Sequence, residues 1–145
     1  MSVAVIIPTY NEKENLPRLV ERLVGLSLAD LNILVIDDNS PDGTGEVADS
    51  LARELPDVVK AMHREGKLGL GTAYISGFLE MLKTDCENIV QMDADFSHPP
   101  EKILEMLKAS ENSDMVIGSR YVKGGSLDVN WPAWRKALSS FGNLY

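Results

Sequence analysis

The feature that most constrains the fold of this chain is a regular alternation of short apolar runs with amphipathic stretches. Five runs are almost continuously apolar, as strands buried on both faces of a sheet must be. They lie at residues 3–7, 33–37, 58–62, 89–93 and 115–118. Parallel neighbours need long crossover connections, so strands that alternate with helices predict a parallel sheet.

The stretches between these runs carry apolar residues at helical spacing. The predicted helices cover residues 16–26, 45–55, 72–82 and 100–107. A glycine-bearing loop is expected at 120–132, and a further helix is expected to begin within 134–145. The predicted fold class is therefore α/β, with a doubly wound, mainly parallel sheet and helices on both faces.

The charge of the chain is unevenly distributed. The formal net charge is −8, yet residues 120–145 hold four of the 14 Lys and Arg residues and only one of the 22 Asp and Glu residues. An acidic body repels nucleic acid, so we expect no nucleic-acid partner. The basic end of the chain is the more favourable place for an anion.

Length and cysteine content indicate the number of domains and the cellular setting. The 145 residues correspond to one domain, long enough to bury a core. Cys86 is the only cysteine, which excludes an internal disulfide and favours a reducing, cytoplasmic setting. No apolar run approaches the roughly 20 residues of a membrane-spanning helix.

Two carboxylates, Asp93 and Asp95, follow the fourth apolar run. Residues i and i+2 of an extended chain face the same side, so both carboxylates can reach one cation. Carboxylate pairs typically hold Mg²⁺ or Mn²⁺ together with substrate phosphates. The alternative interpretation is that Asp-x-Asp only marks a turn and caps the next helix, and the tripeptide alone leaves both open.

Polar residues follow every predicted strand, at the sheet edge where ligands bind in doubly wound folds. The glycine-bearing segment at 64–72 lacks the pattern of a phosphate-binding P-loop, since Leu68 follows Lys67. A dinucleotide fingerprint is also missing, because Pro8-Thr9-Tyr10 follows the first strand. Any phosphates are therefore expected to be held by a metal and by arginine.

Five motifs carry a resemblance to a known family. They are Pro-Thr-Tyr-Asn-Glu at 8–12, Asp-Asp-Asn-Ser-Pro-Asp-Gly-Thr at 37–44, Lys-Leu-Gly-Leu-Gly-Thr-Ala at 67–73, Asp-Ala-Asp-Phe-Ser-His-Pro-Pro at 93–100 and Gly-Ser-Arg-Tyr at 118–121. The chain resembles the family 2 glycosyltransferases of the GT-A fold, a Rossmann-like nucleotide-sugar-binding fold. Within that family it is most similar to the dolichol-phosphate, or polyprenyl-phosphate, mannosyltransferases.

The resemblance implies an inverting enzyme that transfers mannose from GDP-mannose to a polyprenyl phosphate. Residues 1–145 would be its catalytic domain, with a donor-binding part at 1–119 and the start of an acceptor region at 120–145. Relatives continue further, so we expect an amino-terminal fragment of a protein that works at the cytoplasmic face of a membrane. The alternatives are a family member with a UDP-sugar donor or a hydroxyl acceptor and, more remotely, a non-enzymatic phosphorelay receiver domain.

The resemblance also implies a role for individual residues. The base and ribose of the nucleotide would be held by Pro8, Tyr10, Glu12, and Asp37 or Asp38. The metal, Mg²⁺ or Mn²⁺, would be held by Asp93 and Asp95, with Ser97 where relatives often have a metal-reaching glutamine.

The acceptor phosphate would be held by residues of the basic end. These are Arg120, Arg135 and Ser139, with Ser139 one helical turn beyond Arg135. Arginine suits this role because its planar guanidinium can bind two phosphate oxygens at once. The resemblance therefore gives Asp93, Asp95 and Arg120 the catalytic roles.

Overall fold

The computed structural model describes residues 2–122, 125 and 132–142. The chain divides into two compact units, Met1–Leu107 and Lys108–Tyr145. The predicted division into a donor part ending at 119 and an acceptor part concerns function, and it stays a prediction.

The first unit is built on a parallel sheet. Its strands are β1 (Val3–Thr9), β2 (Leu31–Asp37), β3 (Val59–His63) and β4 (Asn88–Gln91). The spatial order is β3-β2-β1-β4 and every pairing is parallel. The chain therefore moves outward from β1 to β3 and then returns to the other side of β1. The carboxyl ends of β1 and β4 form the point of reversal, where ligands bind in such sheets.

Helices cover both faces of this sheet. These helices are α1 (Asn15–Gly25), α2 (Thr44–Glu54), α3 (Leu70–Met81) and α4 (Lys102–Ser110). A further helix, α5 (Ala133–Gly142), belongs to the second unit. Val3, Val5 and Ile7 point to one face, where they pack in a cluster to which α1, α2 and α4 contribute. Ala4 and Ile6 point to the other face, which α3 covers. The predicted doubly wound α/β fold is confirmed.

The predicted fifth strand is wrong. Residues 115–119 have no regular structure, and Met115 and Ile117 are each 77% exposed. An apolar run becomes a strand only where a neighbouring backbone pairs with it and other side chains cover it, and the run itself specifies neither. The fourth strand also ends earlier than predicted, at Gln91, so the acidic pair lies in a turn and does not continue the strand.

The remaining predicted segments agree with the structure within two or three residues at most boundaries. The helix expected within 134–145 begins at Ala133, and its positions 143–145 lie outside the described residues. In the loop expected at 120–132, positions 123–124 and 126–131 also lie outside them. None of the helices in the described part of the chain has the length and apolar character that a membrane crossing requires.

Gly77 sets how closely α3 approaches the sheet. A Cβ at this position would lie 2.6 Å from Cγ2 of Ile6 and 2.9 Å from Cδ1 of Ile36. The Ile6 methyl is attached directly to its Cβ, so it has little freedom to move aside. We therefore expect Gly77→Ala to lower the free energy of unfolding by about 1–2 kcal/mol, since overpacking outweighs the better helix propensity of alanine. Chemical denaturation measures this difference.

Gly71 provides the matched control on the same helix. A Cβ at Gly71 would have no atom within 4 Å. Gly71→Ala should leave the free energy of unfolding unchanged or raise it by up to about 1 kcal/mol. Equal destabilisation by both substitutions would contradict the packing explanation.

Candidate functional site

The loops that follow β1 and β2 are joined by hydrogen bonds. The amide of Asn11 donates to Oγ of Ser40 at 3.0 Å, and the amide of Glu12 donates to Oγ1 of Thr44 at 2.9 Å. The amide of Asp38 donates to the carbonyl oxygen of Thr9 at 3.1 Å. The two loops therefore form one rigid border of the site.

Asp37 holds this border together from inside. Its side chain is buried, and the residue is only 2% exposed. Oδ1 accepts hydrogen bonds from Oγ1 of Thr9 at 3.1 Å and from Oγ of Ser40 at 2.6 Å, while Oδ2 accepts from the Ser40 amide at 3.0 Å. Both oxygens are engaged within the protein, so the observed role of Asp37 is to fix the loop.

Asp42 orders the start of α2. Its Oδ1 accepts hydrogen bonds from the Thr44 amide at 3.0 Å and from the Thr44 hydroxyl at 2.6 Å. The Thr44 hydroxyl is the main cause that lowers the pKa of Asp42 below its usual value. Between them Gly43 adopts a φ of +92°, a conformation that favours glycine. The Asp-Gly-Thr part of the second motif is thus explained by local structure.

Asp38 forms a buried ion pair with Arg64. The guanidinium Nη1 lies 3.0 Å from Oδ1 of Asp38, and the two side chains are 8% and 9% exposed. Nη1 and Oδ1 attract each other by charge but are not aligned for a hydrogen bond, since Oδ1 has no hydrogen-bond partner within the described residues. The other oxygen, Oδ2, accepts the Leu68 amide at 3.2 Å. Arg64 also donates to Oγ1 of Thr72 at 2.6 Å, so it links the loop after β2 to the start of α3.

Lys67 lies over the ring of Tyr10. Its Nζ is 4.1 Å from the ring centroid, within the range of a cation–π interaction. Tyr10 belongs to the loop after β1, whereas Lys67 precedes α3. The contact therefore joins two of the loops that surround the site.

The acidic pair lies on a tightly held loop after β4. Oδ1 of Asp95 accepts the Ser97 amide at 2.9 Å. Burial raises the pKa of Asp95, but the hydrogen bonds from the Ser97 hydroxyl and amide outweigh it and keep the pKa below its usual value. Asp95 is therefore an anion at neutral pH, as a metal ligand must be.

His98 supports the backbone of the same loop. The Asp93 amide donates to Nδ1 of His98 at 3.2 Å, so in this arrangement the ring proton is on Nε2. Oδ2 of Asp93 lies 3.9 Å from the same Nδ1. A nitrogen that accepts a hydrogen bond does not carry a proton, so this approach is not an ion pair in the neutral tautomer.

Phe96 anchors the loop to α1. The guanidinium carbons of Arg18 and Arg22 each lie 5.4 Å from the centroid of its ring. The backbone of Phe96 has a φ of +60°, which turns the chain sharply between Asp95 and Ser97. The loop is thereby attached to the helix layer on one face of the sheet.

Tyr74 reaches the loop from the other face. This residue lies on α3, and its hydroxyl donates to Oδ1 of Asp93 at 2.8 Å. Burial, followed by the hydrogen bond to Asp93 and the charges of Asp93 and Asp95, raises the pKa of Tyr74 above its ordinary value. Tyr74 therefore remains a protonated donor over the physiological pH range.

These elements surround one cleft at the carboxyl ends of β1 and β4. It is lined by Pro8, Thr9, Tyr10, Glu12, Asp38, Lys67, Gly69, Leu70, Ala73, Asp93, Ala94 and Asp95. Six residues predicted to bind nucleotide or metal thus meet at this cleft. Pro8 comes from the end of β1, and the other five come from the loops after β1, β2 and β4. Asp37 and Ser97 are not among the lining residues. Asp37 accepts a hydrogen bond from the Ser40 amide, and the Ser97 amide donates to Asp95.

The donor set of the cleft suits a cation shared with a ligand. Within residues 2–122, 125 and 132–142, no group of three or more His, Cys, Asp or Glu side chains is arranged to hold a metal ion. Asp93 and Asp95 supply two carboxylates to the lining of the cleft. Mg²⁺ and Mn²⁺ are commonly bound by one or two carboxylates and by oxygens of substrate phosphates. The residues present therefore fit such an ion.

The residues predicted for the acceptor phosphate lie in the second unit. The hydroxyl of Tyr121 donates to Oγ of Ser139 at 2.7 Å, which brings the Gly-Ser-Arg-Tyr turn onto α5. Arg120 is the neighbour of Tyr121 in sequence, and Arg135 lies one turn before Ser139 on α5. This bond therefore associates the segments that carry all three predicted residues.

Sequence reasoning missed Tyr74, Arg64 and Lys67. Tyr74 falls on an apolar helix, where an aromatic residue is usually part of the core. Arg64 and Lys67 lie in the glycine-bearing segment at 64–72, which lacks the pattern of a phosphate-binding loop. Their contacts with Asp38 and Tyr10 join residues far apart in the chain, and no local pattern signals such contacts.

The chain is similar to a known protein family and to curated proteins. A model described as glycosyl transferase family 2 matches residues 4–144. A polyprenol monophosphomannose synthase from Mycolicibacterium smegmatis is 51% identical over 97% of this chain and 53% of its own length. An undecaprenyl-phosphate mannosyltransferase from Micrococcus luteus is 50% identical over the whole chain and 58% of its own length. The chain spans about half the length of these curated relatives.

Solved structures share the fold. A mannosyltransferase from Pyrobaculum calidifontis, in complex with GDP-Man and Mn²⁺, superimposes with a TM-score of 0.54 at 26% identity, over 64% of this chain and 27% of that one. TarS from S. aureus superimposes with a TM-score of 0.58 at 18% identity, over 85% of this chain and 40% of that one.

Proposed function

The chain belongs to glycosyl transferase family 2. We propose that it binds GDP-mannose and transfers the mannose, with inversion, to a polyprenyl phosphate. Family membership confirms the resemblance inferred from the motifs. The donor, acceptor and reaction are part of the proposal, because the chain spans only about half of its curated relatives.

The observation that supports this proposal most strongly is the convergence of three loops on the cleft at the carboxyl ends of β1 and β4. Tyr10 and Glu12 come from the loop after β1, Asp38 from the loop after β2, and the acidic pair from the loop after β4. An aromatic ring and carboxylates suit the base and ribose of a nucleotide, which present hydrogen-bond donors and a flat face. We assign Pro8, Tyr10, Glu12 and Asp38 to the nucleoside, and Asp37 to the support of their loop.

Charge supports the need for a cation. Among the described residues that line the cleft, Glu12, Asp93 and Asp95 are carboxylates and Lys67 is the one cation. Asp38 also lines the cleft, but Arg64 balances its charge. A diphosphate would be repelled by such a surface unless a divalent ion lay between. Mg²⁺ or Mn²⁺ held by Asp93 and Asp95 would stabilise the negative charge on the departing nucleoside diphosphate. Ser97 stays a predicted third ligand.

The acceptor is proposed to be the anion of a lipid phosphate. Its second pKa is about 6, so its oxygen is already largely ionised at neutral pH and can attack the anomeric carbon without a general base. We assign Arg120, Arg135 and Ser139 to this phosphate, supported by the Tyr121–Ser139 hydrogen bond. The names of the relatives support a polyprenyl carrier, and an acceptor of this kind would bring the protein to a membrane surface.

Calorimetric titration tests the donor assignment. The chain is titrated with GDP, UDP, GDP-mannose and UDP-glucose, each with Mn²⁺ and with EDTA. We expect binding of GDP and GDP-mannose that depends on Mn²⁺, because the acidic cleft needs the cation to accept a diphosphate.

The other outcomes separate the alternatives. A preference for UDP compounds would keep the family and overturn the mannose donor. Equal binding with Mn²⁺ and with EDTA would overturn the metal assignment to Asp93 and Asp95. Absence of all binding would overturn the claim that this chain contains a working donor site.

A further inference from the structure

Tyr74 connects the second face of the sheet to the acidic pair. Its ring packs with the cluster formed by Ala4, Ile6, Leu34 and Ile36 and their neighbours, so its position is set by the core. Only its hydroxyl extends to the loop after β4, where it lies 2.8 Å from Oδ1 of Asp93. Ala73, the preceding residue of α3, lines the cleft itself.

We propose that Tyr74 is a positioning residue, whose hydroxyl holds the Asp93 carboxylate in the orientation in which it binds a divalent cation. The inference rests on the proposed function, because it assumes that Asp93 and Asp95 hold the metal of a nucleotide complex. It deepens that proposal by assigning a role to a residue outside the motifs that suggested the site.

The two oxygens of the Asp93 carboxylate can bind different partners. A carboxylate has about four lone-pair positions, and a neutral hydroxyl on Oδ1 occupies one of them without cancelling the negative charge. Oδ2 remains available for a cation. The bond also removes the rotational freedom of the side chain before the metal arrives, so less entropy is lost on binding.

Two further contacts fix the position of Asp93 relative to Tyr74. The amide of Asp93 donates to Nδ1 of His98, which fixes the backbone of the same residue at 3.2 Å. Gly77, three residues beyond Tyr74, allows α3 to lie directly against Ile6 and Ile36. The helix is thereby close enough for the tyrosine hydroxyl to reach the cleft, and Asp93 is fixed at both its backbone and its side chain.

Tyr74→Phe tests the role, because it removes the hydroxyl and keeps the packed ring. Binding of Mn²⁺ is measured by the electron paramagnetic resonance signal of the free ion, with and without saturating GDP. We expect the Mn²⁺ concentration for half-saturation to rise roughly 10- to 100-fold, the range found when an outer-shell partner of a metal ligand is removed. The affinity for guanosine, which has no diphosphate and so needs no cation, should change less than about twofold in calorimetry, since an outer-shell partner acts through the metal.

Thr84→Val is the matched control. It removes a hydroxyl that donates to the carbonyl oxygen of Met81 at 2.6 Å, just after the end of α3 and outside the cleft lining. Thermal denaturation of both variants shows whether the fold is retained. The control should leave Mn²⁺ binding unchanged in a folded protein.

Each remaining outcome overturns the inference in a recognisable way. Unchanged Mn²⁺ binding in Tyr74→Phe would show that Asp93 is oriented without the hydroxyl. Tighter Mn²⁺ binding would show that the hydroxyl competes with the cation for Oδ1. An equal loss of affinity for GDP with Mn²⁺ and for guanosine would give Tyr74 a packing role. If the unsubstituted chain binds no Mn²⁺, the metal assignment in the proposed function fails as well, whereas the first three outcomes leave that assignment standing.

Discussion

Asp95→Ala is expected to abolish the metal-dependent part of GDP binding while the protein stays folded. Asp95 is solvent-exposed and lines the cleft, so its removal creates no buried cavity. It would, however, leave Asp93 as the only carboxylate of the proposed pair. Loss of a direct ligand should cost more than the roughly 10- to 100-fold expected for an outer-shell partner. Calorimetry with GDP, at a series of Mn²⁺ concentrations, measures the loss.

Asp57→Ala is the appropriate control for the change in charge. Asp57 is an exposed carboxylate of the same unit and lies outside the cleft lining. The two variants change the net charge equally, so a difference between them reports the position of the carboxylate. Unchanged Mn²⁺-dependent affinity in folded Asp95→Ala would refute the assignment of the acidic pair to a metal.

Arg64→Met should produce the largest loss of stability among the substitutions considered. The side chains of Arg64 and Asp38 are both more than nine-tenths buried, so the methionine leaves a carboxylate without its counter-charge in a region from which water is largely excluded. Removal of one partner of a buried ion pair typically costs about 3–5 kcal/mol. The hydrogen bond from Arg64 to Thr72 is lost as well. Urea denaturation measures the free energy of unfolding.

Two comparisons identify the cause of this loss. Arg22→Met makes the same substitution in an exposed pair with Glu101 and also removes one guanidinium from the Phe96 ring. It should still have a much smaller effect, because solvent screens the charges and an exposed cation–π contact contributes only about 0.5–1 kcal/mol. The double variant Arg64→Met with Asp38→Leu should be more stable than Arg64→Met alone, because the orphaned charge is then absent. If the double variant is no more stable, the loss comes from the contacts of Arg64 with the loop and not from the buried carboxylate.

The networks around Asp37 and Asp42 explain why so much of the second motif is polar. Asp37 bonds to Thr9 and Ser40, and Asp42 bonds to Thr44. These side chains satisfy backbone and hydroxyl groups inside the loop, and Asp38 is the member of the motif that lines the cleft. A motif associated with ligand binding therefore consists largely of residues that hold one ligand-facing side chain in place.

The sequence alone determined the class of fold and the edge at which the site lies. Nearly continuous apolar runs are typical of strands in a covered sheet, and four of the five runs do form such strands. Their alternation with helices indicates parallel pairing. Polar residues after β1, β2 and β4 then had to meet at one edge of the sheet, and six of the predicted residues do line one cleft there. The spacing of apolar and polar residues within each short segment is enough to indicate its secondary structure and its buried face.

Tertiary structure alone decided which side chains act together. The apolar run at 115–118 is not a strand, Asp37 faces inward whereas Asp38 lines the cleft, and Tyr74 reaches Asp93 from a different helix. Each of these facts depends on a partner far away in sequence. A local sequence pattern indicates that a side chain is buried, but it does not identify the residue that the side chain packs against. That neighbour is fixed only when helices and strands pack, as the close approach of α3 at Gly77 shows.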